Sequence, residues 1–146
     1  MSLGTKNQVP RPKYQAWARC LLARARMTQA RQALGKHGED LACRELERRG
    51  YAIVARRFRV RGGELDIVAR DGATLVFVEV KARAGRRFGE AAEAVTPLKQ
   101  LRIARLASEY LARQGLPECA CRFDVVSIHF DEGAPDIQVI QNAFDA

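Results

Sequence analysis

Apolar residues dominate the middle of the chain, and Glu64–Arg70 alternates between apolar and polar residues with the period of two that is typical of a β-strand. Three strand-length segments follow one another, and the turns between them contain Gly62-Gly63 and Asp71-Gly72. Because Asp-Gly is a common two-residue hairpin turn, the second and third segments are predicted to lie side by side and antiparallel. The three predicted strands are Tyr51–Phe58, Glu64–Arg70 and Leu75–Lys81.

Helical periodicity lies on either side of these strands. Residues 37–49 carry apolar side chains on one helical face, and Gly50 ends the segment. Thr96-Pro97 is a typical helix start, with Thr at the N-cap and Pro at the first helical position. The second helix is predicted to run to about Arg113 and to end at Gly115.

Two more strands are predicted near the C-terminus, at Phe123–Phe130 and Ile137–Ile140. The order of one helix, three strands, one helix and two strands (αβββαββ) is expected of an α/β or α+β domain, with a mixed central sheet flanked by helices. The 146 residues suffice for one domain. We expect this domain to span residues 35–146 and to follow a basic, partly disordered arm at residues 1–34.

Positive charge is concentrated near the N-terminus, in the arm and the few residues after it. The chain has a net charge of +8, and residues 1–38 contain eight lysines and arginines and no acidic residue. This distribution suits a polyanionic partner such as nucleic acid, although an Arg-rich solvated surface has the same composition. A basic helix over residues 14–34 is equally compatible with nucleic acid, acidic lipid or packing on the domain, and the sequence does not decide between them.

The chain lacks sequence features of membrane or secreted proteins. No segment approaches the roughly 18 uninterrupted apolar residues of a membrane span, and arginines occupy the region where a signal peptide is apolar. Four irregularly spaced cysteines favour reduced thiols, and Cys119-Ala120-Cys121 has a shorter spacing than zinc sites use. We therefore expect a cytoplasmic protein with no stable membrane insertion.

Acidic residues interrupt three otherwise apolar strands. Asp124 is expected simply to pair with Arg122. Asp66 and Glu79 lie in the two hairpin strands, and a buried carboxylate costs several kcal/mol unless it is paired or bound to a metal. Hairpin pairing can bring these two carboxylates together, and two converging carboxylates form an oxygen site of the kind that Mg²⁺ prefers.

Lys81 lies two residues after Glu79, so both side chains leave the same face of the strand. A lysine beside a metal site can position the attacking water and offset charge on a phosphate. The alternative is an ion pair between Glu79 and Lys81 at a strand end, with Asp66 near the surface. The residues alone support both interpretations equally.

The segment Gly63-Glu64-Leu65-Asp66, a spacer of 12 residues and Glu79-Val80-Lys81 together resemble the PD-(D/E)xK nuclease signature. Over roughly residues 35–144 the chain resembles the uncharacterised bacterial YraN-type family, and its layout is similar to that of archaeal Holliday-junction resolvases. The resemblance implies a restriction-endonuclease-like fold. Further matching elements are Gly38-Glu39, Gly50-Tyr51, Val76–Arg83, Ala94-Val95 with Lys99, Arg122–Val125 and Asn142–Phe144.

This resemblance implies that Asp66 and Glu79 bind Mg²⁺ or Mn²⁺ and that Lys81 positions the water. A helix glutamate of the resolvases maps onto Glu39, which lies about 20° around the helix from Leu46 and so borders the buried face. A solvated glutamate near a helix N-terminus has an equally good physical explanation. Because the YraN-type family has no established substrate, the resemblance implies a site and a fold rather than a demonstrated reaction.

Five basic residues are expected to contact nucleic acid near the metal, and they lie after the third strand and on the second helix: Arg83, Arg86, Arg87, Lys99 and Arg102. For each loop arginine, a solvated basic turn is the alternative.

The expected function is metal-dependent cleavage of phosphodiester bonds in nucleic acid, more in DNA than RNA, with branched or structured DNA favoured. A homodimer is compatible with the resemblance, since resolvases of this fold act as dimers. Two alternatives stay open: a nucleic-acid-binding module with the nuclease fold but no useful turnover, and an adaptor that acts through its basic arm.

Overall fold

The structure, a computed structural model, describes residues 13–85, 95–116 and 118–145, with side chains from residue 19 onward. The order of its elements confirms the predicted mixed α and β architecture with one sheet and two helices. The elements are α1 (Lys13–Arg48), β1 (Ala52–Val60), β2 (Gly63–Asp71), β3 (Thr74–Ala84), α2 (Pro97–Gln114), β4 (Cys121–Phe130) and β5 (Asp136–Ile140).

The five strands form one sheet in the order β1-β2-β3-β4-β5. Three neighbouring pairs are antiparallel, and β3 pairs with β4 in parallel. A parallel pair needs a crossover connection, and α2 lies in that connection. The sheet is therefore mixed, as predicted.

Local signals place the ends of α2 where the sequence predicted them. The Thr96 hydroxyl accepts a hydrogen bond from the Lys99 backbone N–H at 3.3 Å, and Pro97 occupies the first helical position. At the other end, Gly115 has a φ of 66°, which is the left-handed conformation typical of a helix C-terminus. These caps fix the helix that carries Lys99 toward the sheet.

The first helix differs from the prediction. Separate helices were expected at residues 14–34 and 37–49, but α1 is a single helix of 36 residues. A glycine inside a helix costs only about 1 kcal/mol relative to alanine, so Gly35 and Gly38 do not end it. A Cβ at Gly38 would lie 2.6 Å from the Ala82 Cβ, and glycine there lets α1 approach β3 closely.

By its internal contacts the chain divides into two units, residues 1–33 and residues 34–146. In the first unit, all side chains of residues 19–33 are exposed, including those of Arg19, Arg24, Arg26 and Arg31. No helix in the described part of the chain is long and apolar enough to cross a membrane. The proposed roles of the arm stay predictions.

Apolar clusters cover both faces of the sheet in the second unit. Burial on both faces explains why the central strands have nearly uninterrupted apolar sequences. The cluster under α2 includes Leu65, Val68, Phe77, Val125, Ile103, Leu106 and Tyr110. The cluster on the opposite face joins Ala42, Cys43 and Leu46 of α1 to Ile67, Ala69, Val76, Val78, Val126 and Ile128.

Asp124 is fully buried and has a structural role. Its carboxylate accepts hydrogen bonds from the Arg122 guanidinium at 2.9 Å and 3.0 Å, from the Tyr51 hydroxyl at 3.1 Å and from the Asn142 backbone N–H at 3.0 Å. The predicted pair with Arg122 is confirmed. The network links β4 to the residue before β1 and to the segment after β5.

Candidate active site

The central strands β2 and β3 separate at Asp66 and Glu79. Their ladder ends at the pair Ile67 and Val78, so Asp66 and Glu79 are the next residues on each strand. Beyond this point β2 stays paired with β1, and β3 stays paired with β4. The sheet therefore has a gap between its two central strands, with one carboxyl-bearing residue on either side.

Asp66 caps the backbone at this gap. Its Oδ2 accepts a hydrogen bond from the Val80 N–H at 2.9 Å. Burial and, next to it, the charge of Glu79 raise the pKa of Asp66 to about 7, with smaller contributions from a side-chain hydrogen bond with Glu79 and the charge of Glu39, although the Val80 N–H acts to lower it. The structure thus brings Asp66 and Glu79 together, as the hairpin predicted.

Two lysines share the carboxylate of Glu79, whose side chain is only 7% exposed. Lys81 Nζ lies 3.4 Å from Glu79 Oε1, and Lys99 Nζ makes a shorter contact with the same oxygen. Burial, together with the neighbouring Lys99, lowers the pKa of Lys81. Burial also acts to lower the pKa of Lys99, but the contact with Glu79 outweighs it and the net shift is upward.

A second group of carboxylates lies beside Asp66. Oxygen atoms of Glu39, Glu64 and Asp66 all lie within 4.8 Å of one another. Glu39 comes from α1 and the other two from β2. The sequence prediction missed Glu64, although it lies two residues before Asp66 and so leaves the same face of the strand. Asp66 therefore belongs to both groups, because it interacts with Glu79 and also lies within 4.8 Å of the Glu39 and Glu64 oxygens.

Arginines of β1 neutralise the two glutamates. Arg57 Nε donates to Glu39 Oε2 at 2.6 Å, and Arg59 Nε makes a short ion pair with Glu64. The hydrogen bond with Glu39 raises the pKa of Arg57. Each of the three clustered carboxylates therefore has a donor of its own, because Asp66 accepts from the Val80 N–H.

The backbone is irregular at the same place. Among the described pairs of β1 and β2, the rung formed by Arg57 and Asp66 is missing, while the rungs on both sides are present. In a regular strand, residues three apart face opposite sides of the sheet. Leu65 and Val68 nevertheless lie in the same apolar cluster, so the alternation of side chains between the two faces is interrupted between them. Arg57 itself has a φ of 51°, a conformation that costs a non-glycine residue about 1–2 kcal/mol.

The donor set of the site suits a hard divalent cation. All the clustered ligand atoms are carboxylate oxygens, which Mg²⁺ and Mn²⁺ prefer over nitrogen or sulfur ligands. Oxygens bound to one octahedral Mg²⁺ at about 2.1 Å lie about 3.0–4.2 Å apart. The oxygens of Glu39, Glu64 and Asp66 lie within 4.8 Å of one another, so a small side-chain movement would bring them to that spacing.

The predicted nucleic-acid-binding residues have different positions. Lys99 lies inside the site against Glu79. Arg83 and Arg102 are exposed near the end of β3 and on α2. Arg86 and Arg87 lie outside the described residues, so their predicted role stays a prediction.

A model of the family described as "Uncharacterised protein family UPF0102" matches residues 38–128 of the chain. The chain belongs to the UPF0102 family. The matched segment contains every residue of the site, from Glu39 to Lys99, whereas the exposed arginines at residues 19–31 of α1 precede it.

Several UPF0102 proteins are similar to most of this chain. One from Symbiobacterium thermophilum is 53% identical over 117 residues, which cover 77% of this chain and 97% of the relative. One from Geobacter sulfurreducens is 52% identical over 113 residues, covering 77% and 88%. A third, from Herminiimonas arsenicoxydans, is 46% identical over 117 residues, covering 80% and 90%.

Proposed function

We propose that this UPF0102 protein is a nuclease of the PD-(D/E)xK type that hydrolyses phosphodiester bonds with Mg²⁺ or Mn²⁺. The observation that carries the proposal is the position of Asp66, which interacts with Glu79 and also lies within 4.8 Å of the Glu39 and Glu64 oxygens. A purely structural ion pair of Glu79 with Lys81 would not require three further carboxylates at a gap in the sheet.

The carboxylates would hold the cation, with Asp66 as the shared ligand. Glu79 was predicted as its partner, and Glu39 and Glu64 offer further oxygens. A bound divalent cation supplies Lewis-acid polarisation of the phosphate and a more acidic bound water. The Val80 N–H keeps the Asp66 carboxylate oriented into the gap, and this orientation limits the reorganisation needed on binding.

The two lysines on Glu79 have distinct positions. Lys81 leaves β3 on the same face as Glu79, and it positions the attacking water beside the carboxylates. Lys99 comes from the capped first turn of α2, so a second element brings its ammonium to the same Glu79 oxygen. Two cations next to one carboxylate offset the charge that a phosphodiester brings and gains during hydrolysis.

The substrate we propose is nucleic acid, and DNA with branched or otherwise structured regions in particular. The support is the PD-(D/E)xK signature, the similarity to junction resolvases and the four exposed arginines at residues 19–31 of α1. Such a basic surface binds phosphates with little dependence on sequence. Recognition would then depend on the shape of the substrate at the site.

One observation favours a second candidate, a nucleic-acid-binding module without useful turnover. Glu39, Glu64 and Glu79 are each already paired with an arginine or a lysine, so their charges are balanced by the protein itself. A fold that needs no cation for its stability is compatible with a site that no longer uses one.

A cleavage screen separates the two candidates. Duplex, single-stranded, flap and four-way-junction DNA and RNA should each be incubated with the protein in Mg²⁺, Mn²⁺ or EDTA. We expect cleavage only with metal, loss of it in Asp66→Asn and Glu79→Gln, and retention of it in Glu109→Gln, which removes a solvent-accessible carboxylate of α2 that pairs with Arg113. Binding without cleavage of any substrate would support the binding module instead.

A further inference from the structure

The Arg57 guanidinium occupies the edge of the carboxylate cluster. Its Nε donates to Glu39 Oε2 at 2.6 Å, and the Glu39 carboxylate is one of the three whose oxygens lie within 4.8 Å of one another. The Glu39 side chain is 13% exposed and that of Arg57 is 35% exposed, so the pair is partly shielded from solvent. Arg57 therefore holds positive charge where a cation bound to Glu39 would also lie.

The strained backbone is what brings Arg57 to this position. Its neighbour Arg56 extends toward α1, where it pairs with Asp40 at 2.5 Å. In a regular strand the Arg57 side chain would lie on the opposite face of the sheet from Arg56, toward α2 and away from Glu39. The left-handed φ of 51° at Arg57 breaks this alternation, so adjacent arginines reach adjacent acids of α1.

A strained conformation that persists must be held by its surroundings, and such residues occur preferentially at functional sites. Here the surroundings are specific: the rung that Arg57 would share with Asp66 is missing, and its side chain pairs with an acid of the same cluster as Asp66. Three carboxylates at this spacing repel one another unless a cation is present. Arg57 supplies one of the charges that balance them.

We propose that Arg57 is a built-in counter-ion that a divalent cation displaces from Glu39, and that this competition sets the metal affinity of the site. The inference rests on the proposed function, since it concerns the same carboxylates. Arg57 is a positioning residue in this scheme because it acts through Glu39. Because such coupling is reciprocal, the factor by which a bound cation weakens the Arg57–Glu39 pair equals the factor by which that pair weakens cation binding.

The chain offers a closely matched control. Arg56 is adjacent to Arg57, pairs with the neighbouring acid of α1 and has a similar exposure, 40% against 35%. Its partner Asp40 is not one of the clustered carboxylates. Removing either arginine changes the net charge equally, so a difference between the two variants reports direct competition at Glu39 rather than a general electrostatic effect.

The first experiment is a calorimetric titration of the full chain with Mn²⁺, comparing wild type, Arg57→Asn, Arg57→Lys and Arg56→Asn. Asparagine tolerates the left-handed conformation, so Arg57→Asn removes the charge and leaves the backbone in place. We expect Arg57→Asn to bind Mn²⁺ about tenfold more tightly, within the usual range of coupling between two ligands of one site. Arg57→Lys should stay near the wild-type affinity, and Arg56→Asn should change it by less than about twofold.

The second experiment follows the wild-type side chain, and a variant is needed only to assign its signal. With ¹⁵N-labelled arginine, the Arg57 Nε–H signal is assigned by its absence in Arg57→Lys. Saturating Mg²⁺ should move it to the position of a free, rapidly exchanging guanidinium. An Nε–H signal that stays protected at saturating Mg²⁺ would show a permanent ion pair and overturn the inference.

The outcomes also separate this inference from the proposed function. Equal Mn²⁺ affinities of wild type and Arg57→Asn, with clear binding by both, would remove the counter-ion role and leave the nuclease proposal standing. The absence of Mn²⁺ binding in every variant would remove the metal-dependent function and this inference together.

Discussion

The backbone N–H of Val80 donates to the Asp66 carboxylate at 2.9 Å, next to the last rung of the β2–β3 ladder. At this point the Asp66 side chain has therefore replaced the backbone of β2 as the hydrogen-bond partner of β3. The bond holds the two strands together at the point where they separate, and it fixes the carboxylate in the gap. The same residue is thus important for the sheet and for the site.

Substitutions of Asp66 should separate these two contributions. Asp66→Asn keeps an oxygen that can accept from Val80, so we expect its free energy of unfolding in EDTA to equal or exceed that of wild type. Asp66→Ala leaves the Val80 N–H without this acceptor, so its free energy of unfolding should be about 1–3 kcal/mol lower than that of wild type. Urea unfolding of both variants measures the difference, and equal stabilities would argue against a structural role of the hydrogen bond.

The raised pKa of Asp66 predicts a specific pH dependence. Its pKa is about 7 in the folded protein against a reference of 3.8, so the folded state binds this proton more tightly than the unfolded state does. The resulting stabilisation is present at low pH and is lost as the pH rises through 7. Between pH 5 and pH 8 the free energy of unfolding of the metal-free wild type should fall by about 2–3 kcal/mol relative to that of Asp66→Asn, which has no such proton.

The same proton should compete with a bound cation. Below pH 7 metal binding must release the proton from Asp66, so the affinity for Mn²⁺ should rise between pH 6 and pH 8. Titration in two buffers of different ionisation enthalpy measures the number of protons released. Release of close to one proton at pH 6 and much less at pH 8 is the expected result, and a pH-independent affinity would contradict the assignment of Asp66 as a ligand.

Local signals explain why much of the fold could be predicted from the sequence. Thr96-Pro97 and Gly115 determine the ends of α2 through hydrogen bonds within a few residues, and Asp71-Gly72 sets the hairpin by its turn geometry. The proximity of Asp66 and Glu79 followed from that hairpin, because they are the residues next to its last rung, the pair Ile67 and Val78.

The features that could not be predicted depend on contacts between distant segments. The continuity of α1 depends on the close approach of Gly38 to Ala82, which a pattern within the helix does not reveal. The left-handed conformation of Arg57 is unfavourable locally and is held by Glu39, 18 residues away. Lys99 was predicted as a phosphate contact, and only the packing of α2 on the sheet shows that it pairs with Glu79.

The exposed arginines of α1 lead to a prediction about binding. We expect replacement of Arg19, Arg24, Arg26 and Arg31 by glutamine in the full chain to weaken binding to duplex DNA and to reduce the slope of log affinity against log salt by roughly 0.9 per lost phosphate contact. Cleavage at saturating DNA should survive, because these residues precede the site. An unchanged salt slope would favour another partner for this helix, such as the protein partner of an adaptor.

The shared contact of Glu79 with two lysines gives a prediction in which charge sign separates catalysis from binding. Glu79→Gln should abolish cleavage because the site loses a ligand, yet DNA binding should stay equal or increase because a negative charge near the phosphate is removed. Lys81→Gln and Lys99→Gln should also reduce cleavage, but each should weaken DNA binding because a cation is lost. A double-mutant cycle should give a larger coupling energy for Glu79 with Lys99 than with Lys81, since the Lys99 ammonium lies closer to Glu79 Oε1. Binding measured in EDTA by fluorescence anisotropy, beside cleavage in Mg²⁺, tests all three variants, with Glu109→Gln as the carboxylate control. If Glu79→Gln weakened DNA binding as strongly as Lys99→Gln does, the carboxylate would not face the phosphate and the site geometry proposed for cleavage would be wrong.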